Sequence, residues 1–419
     1  MRILLLIGLV LCSICTRAQT ADTIYLLTAD RVFDGEAMHN QWAVLIKADK
    51  IVAVGEKKSL DIPANAKRLD FPGCTILPGL IEGHAHLLLY PYNRKSWDDQ
   101  VLKESDALRV LRGAKQAEAT LKAGFTTVRD LGSEGAGYAD VALRQAIDSG
   151  WYAGPRLQVA GRAIVATGSY GPKGYDNDSK IMLGAEEADG NDAVRVVRSQ
   201  IGQGIDWVKI YADYHWGPNR QSLPTFLLEE MKAMVAAAKS AGRPVAAHAG
   251  TAEGVKRAVL AGVETIEHGD ELDDEDIALM KEYKVTYFPT LAASESIRQY
   301  RGWRKGTDPE PVDITAKKIS FRKALNAGIK IGMGGDVGVF AHGNNVLEME
   351  LMQEYGMPAV EVLRSATAVN AAALHLENTT GKLQKGLQAD VLVVMGDPSK
   401  QVSDCRKVKL VVKGGRIVP

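Results

Sequence analysis

Between residues 78 and 381 the chain alternates short apolar runs with helical stretches, and that alternation leaves few architectures open. Strands separated by helices read as parallel β/α units, because a parallel pair needs a long crossover. The runs are Leu80-Ile81, Thr126–Arg129, Leu157–Ala160, Trp207–Tyr211, Val245–His248, Val263–His268, Val285–Phe288 and Lys330–Gly334. Eight such units over about 300 residues are what a TIM barrel requires. The flanks follow a different pattern. Thr23–Leu27, Ala43–Ile46 and Ile51–Val54 at one end, and Ala389–Val394 and Val408–Val412 at the other, are strand-like runs around turns. Neither end alone has enough strands to bury a sheet face. The reading is an α/β chain: a TIM-like (β/α)8 barrel over 78–381, with a small β-sandwich built from both termini, 20–77 and 382–419.

Residues 1–19 are set apart as a targeting segment. Met1-Arg2 gives a positive start, Ile3–Ile14 an apolar run and Thr16-Arg17-Ala18-Gln19 a polar exit, the pattern of a secretory signal peptide cleaved near Ala18 or Gln19. The mature chain is therefore expected to be periplasmic or secreted. Ile14 is too large for the small-residue site that a lipid anchor on Cys15 would need. No later stretch approaches the roughly 18 apolar residues of a membrane span. Acidic and basic side chains number 51 each, so charge gives no reason to expect nucleic acid or an anionic membrane as partner. What remains is a small-molecule or dipeptide substrate, with self-association left open. Two of the four cysteines leave with the signal. Cys74 and Cys405 are too few for a disulfide framework and read as buried free thiols.

The chemistry gathers at the strand ends. In L-P-G-L-I-E-G-H-A-H-L, His84 and His86 are two residues apart, so on a strand both imidazoles face one point. His248 and His268 end two later strands, which places four of the chain's eight histidines at such positions. Lys209 lies within W-V-K-I-Y, where its apolar neighbours suit the layer under the helices and turn the lysine inward. A buried lysine needs a partner or a job. Asp336 follows the last strand in G-M-G-G-D. Singly, each has an ordinary explanation: a hydrogen-bonded core histidine, a turn-capping aspartate. Jointly, four histidines, a lysine and an aspartate at the ends of barrel strands point to a metal site.

That order, H-x-H, Lys, His, His, Asp, resembles the metal-dependent amidohydrolase superfamily. The likeness runs from about Thr28 to the C-terminus, including A-D-V-L-V-V-M-G-D-P. It implies two divalent metals, zinc being the expected pair. His84, His86 and Asp336 would hold one metal and His248 and His268 the other, with a CO₂-carboxylated Lys209 bridging them. Two cations beside one water would supply hydroxide at neutral pH. Asp336 would then act as the proton shuttle to the leaving amine, which makes Lys209 and Asp336 the catalytic pair.

P-G-L-I-E-G-H-A-H-L-L-L, A-T-G-S-Y-G-P, V-K-I-Y-A-D and E-G-V-K-R-A-V-L-A-G-V-E-T-I-E-H-G are similar to the imidazolonepropionase-like, prolidase-type branch, which includes Xaa-Pro dipeptidases and Lys/Arg carboxypeptidases. The implied reaction is hydrolysis of a C–N bond in a dipeptide or N-acyl amino acid. Tyr170 stands where many relatives have the histidine of T-G-G-H-G, and with Tyr211 and His342 it is expected to contact substrate. Lys209 argues against the imidazolonepropionase reaction itself. The alternatives are a mononuclear deaminase or cyclic amidase, disfavoured because H-A-G-T at 248–251 lacks a shuttle glutamate, and a non-catalytic relative, disfavoured because no ligand is lost. His39 and His375 read as structural and His215 receives no role. Asp270–Asp276 and Glu229-Glu230 read as solvated helix beginnings.

Overall fold

A computed structural model describes residues 23–176 and 178–419, so the expected signal segment lies outside the described residues. The barrel begins with Leu80–Ala85, buried along its whole length, which pairs in parallel with Phe125–Asp130, itself paired with Arg156–Val159. A second parallel group runs Val208–Tyr211, Val245–Ala249, Thr265–His268 and Thr286–Phe288. Hydrogen bonds join the two groups at both seams. On one side the amides of Asp206 and Trp207 donate to Val159 O at 2.8 and 3.2 Å. On the other, residues 330–337 lie between the last strand and the first. Tyr287 N donates to Lys330 O at 2.9 Å, Gly83 N to Met333 O at 3.0 Å, and His86 N to Val337 O at 2.8 Å.

This eighth segment is hydrogen-bonded but forms no regular strand, and the glycines explain why. The Phe288 ring fills the space that a Cβ on Gly83 or Gly332 would occupy, so the backbone closes around an aromatic side chain. Asn370 then bridges the seam, donating to Ile81 O at 2.8 Å and Met333 O at 2.7 Å.

The two termini share one eight-stranded sheet, with Met38–Asn40 paired to Ile24–Phe33 off the main path. Its centre is Lys67–Pro78, parallel to Ile24–Phe33 on one side and antiparallel to Val391–Met395 on the other. Hydrogen bonding is continuous along this path, so the small β domain expected from both termini is built on one connected set of strands. Leu27, Val44, Ile46, Ile76, Val391 and Val393 form one core cluster from both ends of the chain, while Leu26, Ala43 and Leu45 pack separately. That split follows the two-residue alternation of strand side chains. Buried Asp390 ties the sheet to the barrel, accepting from Arg156 at 2.8 Å and from Thr380 at 3.0 Å. Cys74 and Cys405 are both buried and free. Among the described residues, no helix is long and apolar enough to cross a membrane.

Candidate metal centre

The barrel brings the six expected ligands to one end. Ring centroids of His84 lie 5.4 Å from His86 and 5.3 Å from His268, and His268 lies 4.3 Å from His248. Asp336 Oδ1 is 3.2 Å from His86 Nε2 and 3.8 Å from His84 Nε2. Lys209 is fully buried among them. Lys209 Nζ, His84 Nε2 and Asp336 Oδ1 are buried and lack a hydrogen-bond partner. Buried polar atoms are normally paired, so three orphans in one place mark a group the polypeptide does not itself supply. The donor set of imidazoles and a carboxylate suits a divalent transition metal. His84, His86 and Asp336 present ligand atoms all within 4.8 Å of one another.

Second partners hold the rings in place. His84 Nδ1 lies 2.8 Å from Glu267 Oε2, His86 Nδ1 2.9 Å from Gly132 O, and His268 Nδ1 2.8 Å from Thr290 Oγ1. In each case the Nδ1 partner fixes the ring and leaves Nε2 for the centre. Glu267 also accepts from Arg129 Nη2 at 2.8 Å and from Thr265 Oγ1 at 2.6 Å. Arg129 is held between the rings of Trp207 and Phe288, each 4.5 Å away. Glu82 joins the first strand to the Asp336 loop, accepting from the amides of His84 at 3.1 Å and Gly335 at 2.9 Å. His268 and Asp336 have φ of +80° and +58°, the left-handed region that non-glycine residues avoid. Such strain collects at functional sites.

A cavity of about 430 Å³ opens over the centre, with His86, His248, His268 and Asp336 in its wall. Tyr170 and Tyr211 line it as well. Tyr211 stacks on His248 with centroids 4.4 Å apart and planes at 12°. His342 is a correction. Its Nε2 faces His86 O at 3.2 Å and its Nδ1 faces Thr120 Oγ1 at 3.5 Å, so the ring packs behind the first strand and not in the cavity wall.

A profile of the amidohydrolase family matches residues 75–418. The chain belongs to that family. This amidohydrolase is 29% identical over 427 aligned residues to the ochratoxinase of Aspergillus niger, covering 92% of the chain and 84% of that protein. It is 23% identical to the imidazolonepropionase of Micrococcus luteus, covering 84% of the chain and 87% of that protein. A crystal structure of a Xaa-Pro dipeptidase with methionine bound in its active site aligns with a TM-score of 0.84 at 32% identity, covering 94% of this chain and 99% of that one.

Charge in the amidohydrolase's centre is set by burial. Burial holds His84, His248 and His268 well below the usual imidazole range, helped next by the Lys209 charge at His84 and His248 and by His248 and His84 at His268, which keeps them neutral as ligands must be. For His86 burial works the same way, but the Asp336, Glu134 and Asp130 carboxylates outweigh it and raise the imidazole to about 9. Burial also lowers Lys209 to about 8.

Several site groups escaped the sequence reading. Arg129 was visible as a charged residue inside an apolar strand, but its partner Glu267 lies 138 residues away. Glu134 carried no periodic signal at all. The acidic run is only partly solvated: Asp273 and Asp276 cap the helix Asp274–Tyr283 reciprocally, Asp276 is buried, and Asp270 pairs with Lys317 at the cavity. His39 pairs with Asp34 and His375 with Glu264, both away from the cavity, while His215 lines the cavity and meets Ser222 Oγ at 2.7 Å.

Proposed function

We propose that this amidohydrolase hydrolyses the amide bond of a dipeptide or N-acyl amino acid at a centre of two divalent metals, zinc being the expected pair. His84, His86 and Asp336 would hold one, His248 and His268 the other, and Lys209 would bridge them as its carbamate. The observation that carries this reading is the convergence of four imidazoles, one buried lysine and one aspartate, in which Lys209 Nζ, His84 Nε2 and Asp336 Oδ1 are buried without a hydrogen-bond partner. Bound metals would acidify a water and polarise the scissile carbonyl.

The remaining work falls to the chain's own groups. Lys209 has a buried, unpaired amine whose basicity burial reduces. Its neutral form adds to CO₂, forming an N–C bond and releasing a proton, which replaces an awkward cation with an anionic ligand. Asp336, beside His84 and His86, takes up a proton at its carboxylate and passes it to the leaving amine. Tyr170 and Tyr211 wall the cavity, and Arg301, an exposed guanidinium at its rim, meets the substrate's C-terminal carboxylate. The likeness to a Xaa-Pro dipeptidase supports a dipeptide as substrate. The signal-like pattern read in residues 1–19 supports an exported enzyme, periplasmic or secreted.

The test is metal content per chain together with turnover of a dipeptide and N-acyl amino acid library by metal-loaded protein. Two metals per chain and cleavage of one substrate class are expected. Metal-loaded protein that cleaves neither class would refute the reading. One metal per chain with cyclic-amide turnover would favour the mononuclear alternative.

A further inference from the structure

Glu134 is 4% exposed and lines the cavity, yet it neither ligates the centre nor orients a ligand. Its Oε1 is 3.9 Å from His86 Nδ1, and that nitrogen pairs instead with Gly132 O at 2.9 Å. Glu134 Oε2 accepts from Trp97 Nε1 at 2.8 Å and from Tyr170 OH at 2.7 Å. Among the described residues, Oε1 accepts no hydrogen bond. The backbone is forced into this arrangement: Glu134 has φ +49°, and buried Arg109 clamps the loop by donating to Glu134 O at 2.7 Å and Ser133 O at 2.9 Å. Arg109 gives its donors to backbone carbonyls and none to a carboxylate, so it does not occupy Oε1.

Apart from the 3.9 Å approach of His86 Nδ1, Oε1 has no donor, so one oxygen of a carboxylate in the cavity wall is free to accept a hydrogen bond from a ligand. The wall itself favours positive charge. Tyr170 packs 5.0 Å from Tyr211 and 4.7 Å from Tyr214, and aromatic faces attract ammonium groups. A metal bound to His86 Nε2 at about 2.1 Å would lie within about 8 Å of Oε1, one imidazole ring away. On the hydrolase reading the scissile carbonyl would lie at that metal, and in a dipeptide the α-ammonium is attached to the carbon next to that carbonyl. An N-acyl amino acid has no charge there.

We propose that Glu134 Oε1 binds the substrate's free α-ammonium, so that the enzyme takes unblocked dipeptides over N-acylated ones. This rests on the hydrolase reading above and chooses between its two substrate classes. The test compares kcat/KM for glycyl-L-amino acid dipeptides with the same compounds N-acetylated, in wild type and Glu134→Gln. Charge-assisted hydrogen bonds set the expected scale: the free-to-acetylated ratio should be about 10-fold or more in wild type and should fall about 10- to 100-fold in the variant, mainly through KM. A variant ratio equal to the wild-type ratio overturns the proposal while leaving the hydrolase intact. Should Glu134→Gln fail to fold, a wild-type ratio of one or less overturns it. Should wild type cleave neither class, the hydrolase reading fails, and calorimetric binding of glycylglycine against N-acetylglycine decides the ammonium site separately. Preference for glycylglycine that weakens in Glu134→Gln supports the site, and no preference overturns it.

Discussion

Replacing Glu267 with glutamine tests whether the floor under the centre holds the metal ligands. The substitution keeps the shape and removes the charge. Both Glu267 and Arg129 are fully buried, so the change strands Arg129 without a counter-ion. Breaking one side of a buried pair costs about 3–5 kcal/mol. Arg129 keeps its bond to Gly83 O at 2.6 Å and its two aromatic faces, which places the expected loss at the low end, about 3 kcal/mol. The same change removes the acceptor that holds His84 Nδ1 at 2.8 Å, and losing such a partner weakens metal affinity about 10- to 100-fold. Urea unfolding of metal-free protein reads the first effect, and competition against a chelator reads the second. Wild-type midpoint and wild-type metal retention in Glu267→Gln would refute the reasoning. A stability loss without a metal effect would show that Glu267 serves Arg129 alone.

Other outcomes follow from the same geometry. Lys209→Ala should lose metal and turnover together, with partial rescue by a short carboxylic acid and none by bicarbonate. Wild-type values for both metal content and turnover would exclude the bridge. Asp336→Asn should retain more metal than Lys209→Ala yet lose at least about 100-fold in kcat. Arg301→Ala should raise KM for dipeptides far more than for their C-terminal amides, and equal changes would remove Arg301 from substrate binding. Burial raises Glu348 from 4.5 to about 8, against its bonds from the amides of Leu291 and Ala292. A group raised on folding stabilises below its unfolded value and loses that contribution as pH climbs through its folded one. Between 4.5 and about 8, then, Glu348→Gln should gain on wild type in urea-midpoint titrations, and a constant difference would count against it.

The candidate ligands could be read from the sequence because strand parity is local. His84 and His86 share a face through a two-residue step, and V-K-I-Y turns Lys209 inward in the same way. Asp336 was legible only as the end of a strand that does not form as one, since its glycines yield to Phe288. Glu134 was invisible: a left-handed loop residue has no period, and its tyrosine and tryptophan partners lie 36 and 37 residues away. His342 misled because its place after Asp336 suggested the cavity, whereas the loop carries its ring back to Thr120. The sheet was foreseen as coming from both termini. Its unbroken path was not, because pairing of Lys67–Pro78 with Val391–Met395 is a long-range choice.

That pairing has a consequence during synthesis. Lys67–Pro78 leads directly into the first barrel strand, yet one of its edges is covered only by residues that emerge roughly 300 positions later, about 15–60 s at ordinary translation rates. Until then the barrel grows from a strand whose amides and carbonyls on that side have no partner. An open apolar edge recruits other chains. Nascent or C-terminally truncated chains should therefore depend on a holding chaperone, and the last strands act as the latch that ends that dependence.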